Sequence, residues 1–225
     1  MTALTAFFDT AKLSDYCERT VRLVPGLKDM HKMAALLLSE RATEDADILV
    51  LGAGGGLELR AFAEMRPKWR FLGVDPSRPM LDMAKQVLGP LASRVSFVEG
   101  VVENARLGPF DGATCLLTLH FLSEPDRLRT LRELHKRLKP GAPLVVAHHS
   151  FPEGAGDKDK WLARYGAFAA ASGVHSPENA LAVMKERLPV LSPKRDAALL
   201  REAGFDDVEL FYAGLTFKGW VGYRA

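Results

Sequence analysis

The chain has 225 residues, of which 48% are hydrophobic and 26% charged, with a formal net charge of +2. That length supports one domain with a substantial core and a small appendage, and that composition excludes a disordered chain. The near-neutral balance gives no global argument for a nucleic-acid partner, which would need a local basic patch.

Two helical segments are predicted first. Leu13, Tyr16, Cys17, Thr20 and Val21 recur at helical spacing, Val24-Pro25-Gly26 interrupts, and Met30, Met33, Ala34, Leu37 and Leu38 resume the pattern. Residues 1–44 are expected to form an N-terminal helical lid, and 45–225 the main domain. From Ile48 the elements alternate. Ile48–Leu51 reads as a strand buried on both faces, followed by a helix over Leu57–Met65. Then come a strand Trp69–Val74, a helix from Ser77 to Leu88 with Ser77 as N-cap, a strand Val95–Val98 and a strand Ala113–Leu119. A helix Pro125–Leu138 stops at Lys139-Pro140-Gly141, and Leu144–Ala147 is the fifth strand. The rhythm breaks at 152–192, where helices over about 161–171 and 178–188 are expected to form a substrate cover. A helix Lys194–Ala203 and two strands, Val208–Ala213 and Leu215–Tyr223, complete the chain. The last two are joined too tightly for a crossover, hence antiparallel. The fold class is α/β: a doubly wound, Rossmann-like, seven-stranded and mainly parallel sheet with an antiparallel C-terminal hairpin.

Gly52-Ala53-Gly54-Gly55-Gly56 lies between the first strand and its helix, where backbone can approach a ligand and a helix start offers free N–H groups. Asp75 closes the second strand about twenty residues on, and a carboxylate there can accept both hydroxyls of a ribose. A tight turn and a helix cap are the structural alternatives for these two features. The dinucleotide spacing G-x-G-x-x-G would need glycine at position 57, which is Leu57, and no second domain presents a hydride acceptor. The pattern points to S-adenosylmethionine instead.

Over roughly residues 46–223 these motifs resemble the class I methyltransferases: Ile48–Gly56 as the first motif, Gly73-Val74-Asp75-Pro76-Ser77-Arg78-Pro79-Met80 around the ribose acid, Leu116–Leu122 leaving the fourth strand, and Leu134–Ala142 before the fifth. The resemblance implies S-adenosylmethionine as cofactor, with S-adenosylhomocysteine as product. It places Gly52, Ala53 and Gly54 at the methionine end, the main chain of Leu116 and Leu117 at its amino group, and Asp75 and Pro76 by the ribose. Met80 would lie beside the adenine, with Val101 and Val102 on its other edge. Many relatives carry an acid where Val50 and Val101 stand here. A closer resemblance, on Phe8-Asp9, Val24-Pro25-Gly26, Thr118-Leu119, Phe121-Leu122 and Lys194–Phe205, is to the carboxy-S-adenosylmethionine synthases. The arginine that family uses for the extra carboxylate falls near Val183, with Lys185 and Arg187 close by.

Methyl transfer needs chiefly alignment, and a base only when the acceptor holds its proton. Among six histidines, His120, His148 and His149 leave strands at the edge where open sheets present ligands, with an ordinary pKa near 6.5 suiting base work; shell residues are the alternative. His135 is expected at the surface. Metal binding is not expected, because adjacent strand histidines point to opposite faces. Trp161, Tyr165, Phe168 and His175 are spaced to line one side of the cover, with a core stripe as the alternative. Phe7, Phe8 and Tyr16 could cap the cofactor, and Tyr16, Phe121, Trp161 and Tyr165 are the candidates for contacting the acceptor. No Asn-Pro-Pro-aromatic run follows the fourth strand, which argues against base-amine methylation. The two cysteines, Cys17 and Cys115, have no metal-ligand spacing, no stretch reaches ~18 apolar residues, and no leader pattern opens the chain. A cytoplasmic enzyme without a membrane span is predicted, its oligomeric state open, homodimer included. The leading function is methyl transfer to an oxygen or nitrogen of a small-molecule acceptor. A carboxy-S-adenosylmethionine synthase-like tRNA-modification enzyme and a non-catalytic cofactor binder are the alternatives.

Overall fold

A computed structural model describes residues 15–174 and 180–225. Seven strands form one sheet in the order β3-β2-β1-β4-β5-β7-β6. They are β1 (Asp47–Leu51), β2 (Arg70–Asp75), β3 (Val95–Glu99), β4 (Gly112–Leu116), β5 (Pro143–His149), β6 (Phe205–Gly214) and β7 (Phe217–Arg224). The first five run parallel, and β7 pairs antiparallel with both β5 and β6. The expected topology and C-terminal hairpin are therefore present.

Eight α-helices surround it among the described residues: α1 (Tyr16–Leu23), α2 (Leu27–Ser39), α3 (Leu57–Met65), α4 (Arg78–Leu88), α5 (Glu124–Arg137), α6 (Asp157–Ala171), α7 (Ala180–Arg187) and α8 (Pro193–Glu202). The two-residue period of the strands sorts the core into two clusters. Ile48 and Val50, with Val145 and Ala147, pack against α2, α3 and α4. Leu49 and Leu51, with Leu144 and Val146, pack against α5 and α8. A smaller cluster, Phe151, Leu162, Leu188 and Val190, packs α6 against the segment that follows α7.

Some expectations shift. Met30, Ala34, Ala35 and Leu38 of α2 are fully buried, so α2 is a core helix, whereas α1 buries no residue. The fourth strand ends at Leu116, not Leu119: Leu117 takes a left-handed φ of 56°, which no ladder accommodates, and a 3-10 turn over Leu119–Phe121 follows. His135 is half-buried, its ring edge-to-face with Phe205 at 5.2 Å. Ser77 does occupy the N-cap of α4, yet its side chain makes no capping bond.

Beneath the second cluster lies a buried ionic knot. Arg127 of α5 and Asp196 of α8, 1% and 2% exposed, form an ion pair; Arg127 also donates to the Pro189 carbonyl at 2.9 Å, and His148 Nε2 stands 3.2 Å from Asp196. A lone buried charge costs far more than a pair. Asp196→Ala would strand the Arg127 guanidinium, and we expect a loss of about 3–5 kcal/mol in urea denaturation.

Candidate functional site

The chain leaves β1 and β4, which are neighbours, toward opposite faces of the sheet: α3 follows β1 on one side and α5 follows β4 on the other. Such a divergence leaves a crevice at the carboxyl ends of the strands. Here it opens into a cavity of about 440 Å³, within the usual range for small-molecule sites.

Its floor is the glycine loop. Gly52 has a φ of 78°, and a Cβ there would collide with the Thr118 hydroxyl; Gly56, at φ 79°, lies where a Cβ would come within 2.8 Å of the Ala84 Cα. Both positions demand glycine for conformation and for space. Asp75 stands beside the loop. Its Oδ2 accepts the Gly54 N–H at 3.0 Å and its Oδ1 accepts the Ser77 N–H at 2.8 Å. The ribose and cap roles weighed for this residue are thus compatible, since each oxygen keeps a further lone pair. Burial raises the Asp75 pKa, and the two amides offset part of that rise.

All ten residues expected around the donor line the cavity: Gly52, Ala53, Gly54, Asp75, Pro76, Met80, Val101, Val102, Leu116 and Leu117. The Leu117 N–H is held by the Ala147 carbonyl at 2.6 Å, and the Thr118 hydroxyl donates to the Leu116 carbonyl at 3.0 Å. Tyr16 covers the loop from α1, its ring 3.0 Å from where a Gly55 Cβ would stand; burial pushes its hydroxyl up to about 12.

At the far end the walls are aromatic. Tyr165, Phe121 and Phe217 line the cavity with His120 and His149. His149 stacks on Phe217 at 4.0 Å between centroids and meets Tyr165 edge-on at 5.2 Å. Its Nδ1 bonds Thr216 Oγ1 at 3.0 Å, and its backbone N–H donates to His120 Nδ1 at 3.3 Å. In neutral His120 the proton therefore sits on Nε2.

Three sequence candidates stand elsewhere, Phe168 among them, which is absent from the cavity lining. His148 follows the parity of Leu144 and Val146, so it points to the opposite face, against Asp196 and Trp220. Trp161 lies one turn before Tyr165 on α6, stacked on Phe151 and flanked by Arg164 and Lys218, outside the cavity lining. Phe7, Phe8 and His175 lie outside the described residues. The ordinary histidine pKa assumed above is also corrected. Burial lowers His149 to about 3, and burial with its histidine neighbours and Arg127 holds His120 well below the usual range. Among the described residues no group of three or more His, Cys, Asp or Glu could hold a metal ion.

The sequence reading missed Glu58. It is the second residue of α3, where an acid reads as a charge complementing the helix N-terminus. Instead it turns inward, 7% exposed, lines the cavity, and accepts the Thr114 hydroxyl at 2.7 Å. Its i+4 neighbour Phe62 is fully buried, the one signal in the sequence that the position faces the core. His31 of α2 also lines the cavity, its pKa lowered by burial to about 4.

Burial raises the Glu58 carboxyl from 4.5 to about 8. Unfolded chain releases this proton above pH 4.5, whereas folded chain keeps it until about pH 8, so the empty protein loses stability across that window. We expect Glu58→Gln to be more stable than the parent at pH 8.5 by roughly 3–5 kcal/mol, with the gap closing toward pH 4.5 in denaturation curves.

Comparison with known proteins finds likenesses in sequence and in fold. Residues 48–141 match the methyltransferase domain family. A carboxy-S-adenosyl-L-methionine synthase of Chromohalobacter salexigens is 28% identical over 229 residues, covering 96% of this chain and 83% of that protein. Among solved structures, an O-methyltransferase family protein from Burkholderia thailandensis superposes with a TM-score of 0.70 at 17% identity, over 96% of this chain and 60% of that one. Human N-acetylserotonin methyltransferase, solved in complex with S-adenosylmethionine, gives 0.59 at 16% identity over 94% of this chain and 58% of that one. The chain thus spans less than two thirds of those solved proteins. The bare glycine floor, the aspartate with spare acceptor capacity and the open crevice fit S-adenosylmethionine as the cofactor. Residues 48–141 thus match a methyltransferase domain, and the chain shares the fold of solved methyltransferases.

Proposed function

We propose that the chain transfers the methyl group of S-adenosylmethionine to an oxygen or nitrogen of a small-molecule acceptor held at the aromatic end of the cavity. The observation that carries this reading is continuity: one cavity runs from Asp75 and Met80, past the glycine loop, to Tyr165, Phe217 and His149. Asp75 and Pro76 would hold the ribose, Met80, Val101 and Val102 the adenine, and Gly52, Ala53, Gly54, Leu116 and Leu117 the methionyl tail. The bound cofactor supplies an electrophilic methyl on a sulfonium. Tyr16 and the α6–α7 cover, with Met184 and Leu188 facing the cavity, would exclude water. His149 and His120 would orient the acceptor as neutral rings, since proton affinities this low make poor bases. The nucleophile would then bring its own lone pair, as a neutral amine or an oxygen that ionises readily. The two cysteines, both free, are in keeping with a cytoplasmic enzyme.

The second reading, a carboxy-S-adenosylmethionine synthase, draws on the names of the curated relatives. It finds less support in α7, which gives the cavity Met184, whereas Lys185 pairs with Asp159 at 2.5 Å. Product analysis with and without prephenate separates the two.

Asp75→Ala should weaken S-adenosylmethionine and 5′-methylthioadenosine alike, by roughly 100-fold in calorimetry, because both carry the ribose. An unchanged affinity would remove Asp75 from the site. With an acceptor that does not itself titrate, kcat should show no inflection near pH 6.5; one that vanished in a His149→Gln variant would restore a histidine base.

A further inference from the structure

The cavity holds a buried carboxyl, Glu58, that has no counter-ion among the described residues. The Glu58 side chain faces other acids and neutral groups: Asp75 from β2, Tyr16 from α1, and Thr114 from β4. Among the described residues its one bonded partner is the Thr114 hydroxyl. The strand register places Thr114 beside Val50, so Glu58 reaches the sheet face under the glycine loop from the helix above it. A carboxyl this buried is costly to ionise unless a cation arrives.

We propose that Glu58 is the counter-charge for a cationic group of the donor, and that donor binding drives its proton out. The proposal rests on the reading of the cavity as an S-adenosylmethionine site. The donor carries two cations, the methyl-bearing sulfonium and the α-ammonium of its methionyl tail. Glu58 stands at the root of the glycine loop, the end assigned to that tail. The exchange balances: the carboxylic acid loses a proton to solvent, and the carboxylate takes the ligand cation in its place. Burial supports the same picture, for it keeps the empty site protonated at neutral pH, with Asp75 reinforcing the effect.

The test is calorimetry at pH 7.0 in two buffers of different ionisation heat, with three ligands sharing the adenosine. S-adenosylmethionine has both cations, S-adenosylhomocysteine only the ammonium, and 5′-methylthioadenosine neither. On the parent protein we expect close to one proton released by the first two ligands and none by the third. Release by S-adenosylmethionine alone would identify the sulfonium as the partner. In Glu58→Gln, which keeps an acceptor for Thr114, release should vanish. Affinity for the cationic ligands should fall at least about tenfold, with 5′-methylthioadenosine held within about twofold. Equal release by all three ligands, or unchanged affinities in the variant, would overturn the proposal while leaving the donor site standing. No binding of S-adenosylmethionine or S-adenosylhomocysteine to the parent would instead bring down the site itself. The proton count on the parent protein decides the matter even where the variant folds poorly.

Discussion

Everything at this site depends on two neighbouring parallel strands whose chains depart to opposite faces of the sheet. Because α3 leaves β1 on one side and α5 leaves β4 on the other, no connecting segment covers the carboxyl ends between them. The glycine loop and the main chain after β4 line that opening. Gly52 and Gly56 keep the floor free of side chains, and the left-handed turn at Leu117 folds the other rim back toward the Ala147 carbonyl. A leucine in that conformation costs on the order of 1 kcal/mol, a strain tolerated where the rim of a ligand crevice needs a sharp turn.

Parity along β5 distributes the chemistry. His149 falls on the face of α6 and the cavity, and His148 on the face of α5 and α8. One residue joins an aromatic wall, and the other joins a charged knot that ties three elements together. The same period places the Thr114 hydroxyl under α3, within reach of Glu58, and its neighbour Cys115 in the opposite core. Two adjacent residues of like chemistry thus acquire unrelated roles through a 180° alternation.

Burial then sets the electrostatics. The cavity's far end is lined by rings that resist charge, and its middle by an acid that resists ionisation. Such a site suits a reaction in which a cationic reagent becomes neutral, because the surroundings add little stabilisation to charges other than those they are built to meet.

By itself the sequence determined the class of fold, the order of its elements, the glycine floor and the aspartate of the second strand. Those features are local: apolar runs set strand burial, glycine spacing sets backbone freedom, and a residue closing a strand stands at the sheet edge by construction. Tertiary structure alone decided which histidine faces the cavity, how far its pKa moves, and that Glu58 turns inward. It also made α2 a core helix. Side-chain direction at a strand end depends on register, and a pKa depends on what distant segments bring against the group. Neither quantity resides in any short stretch of the chain.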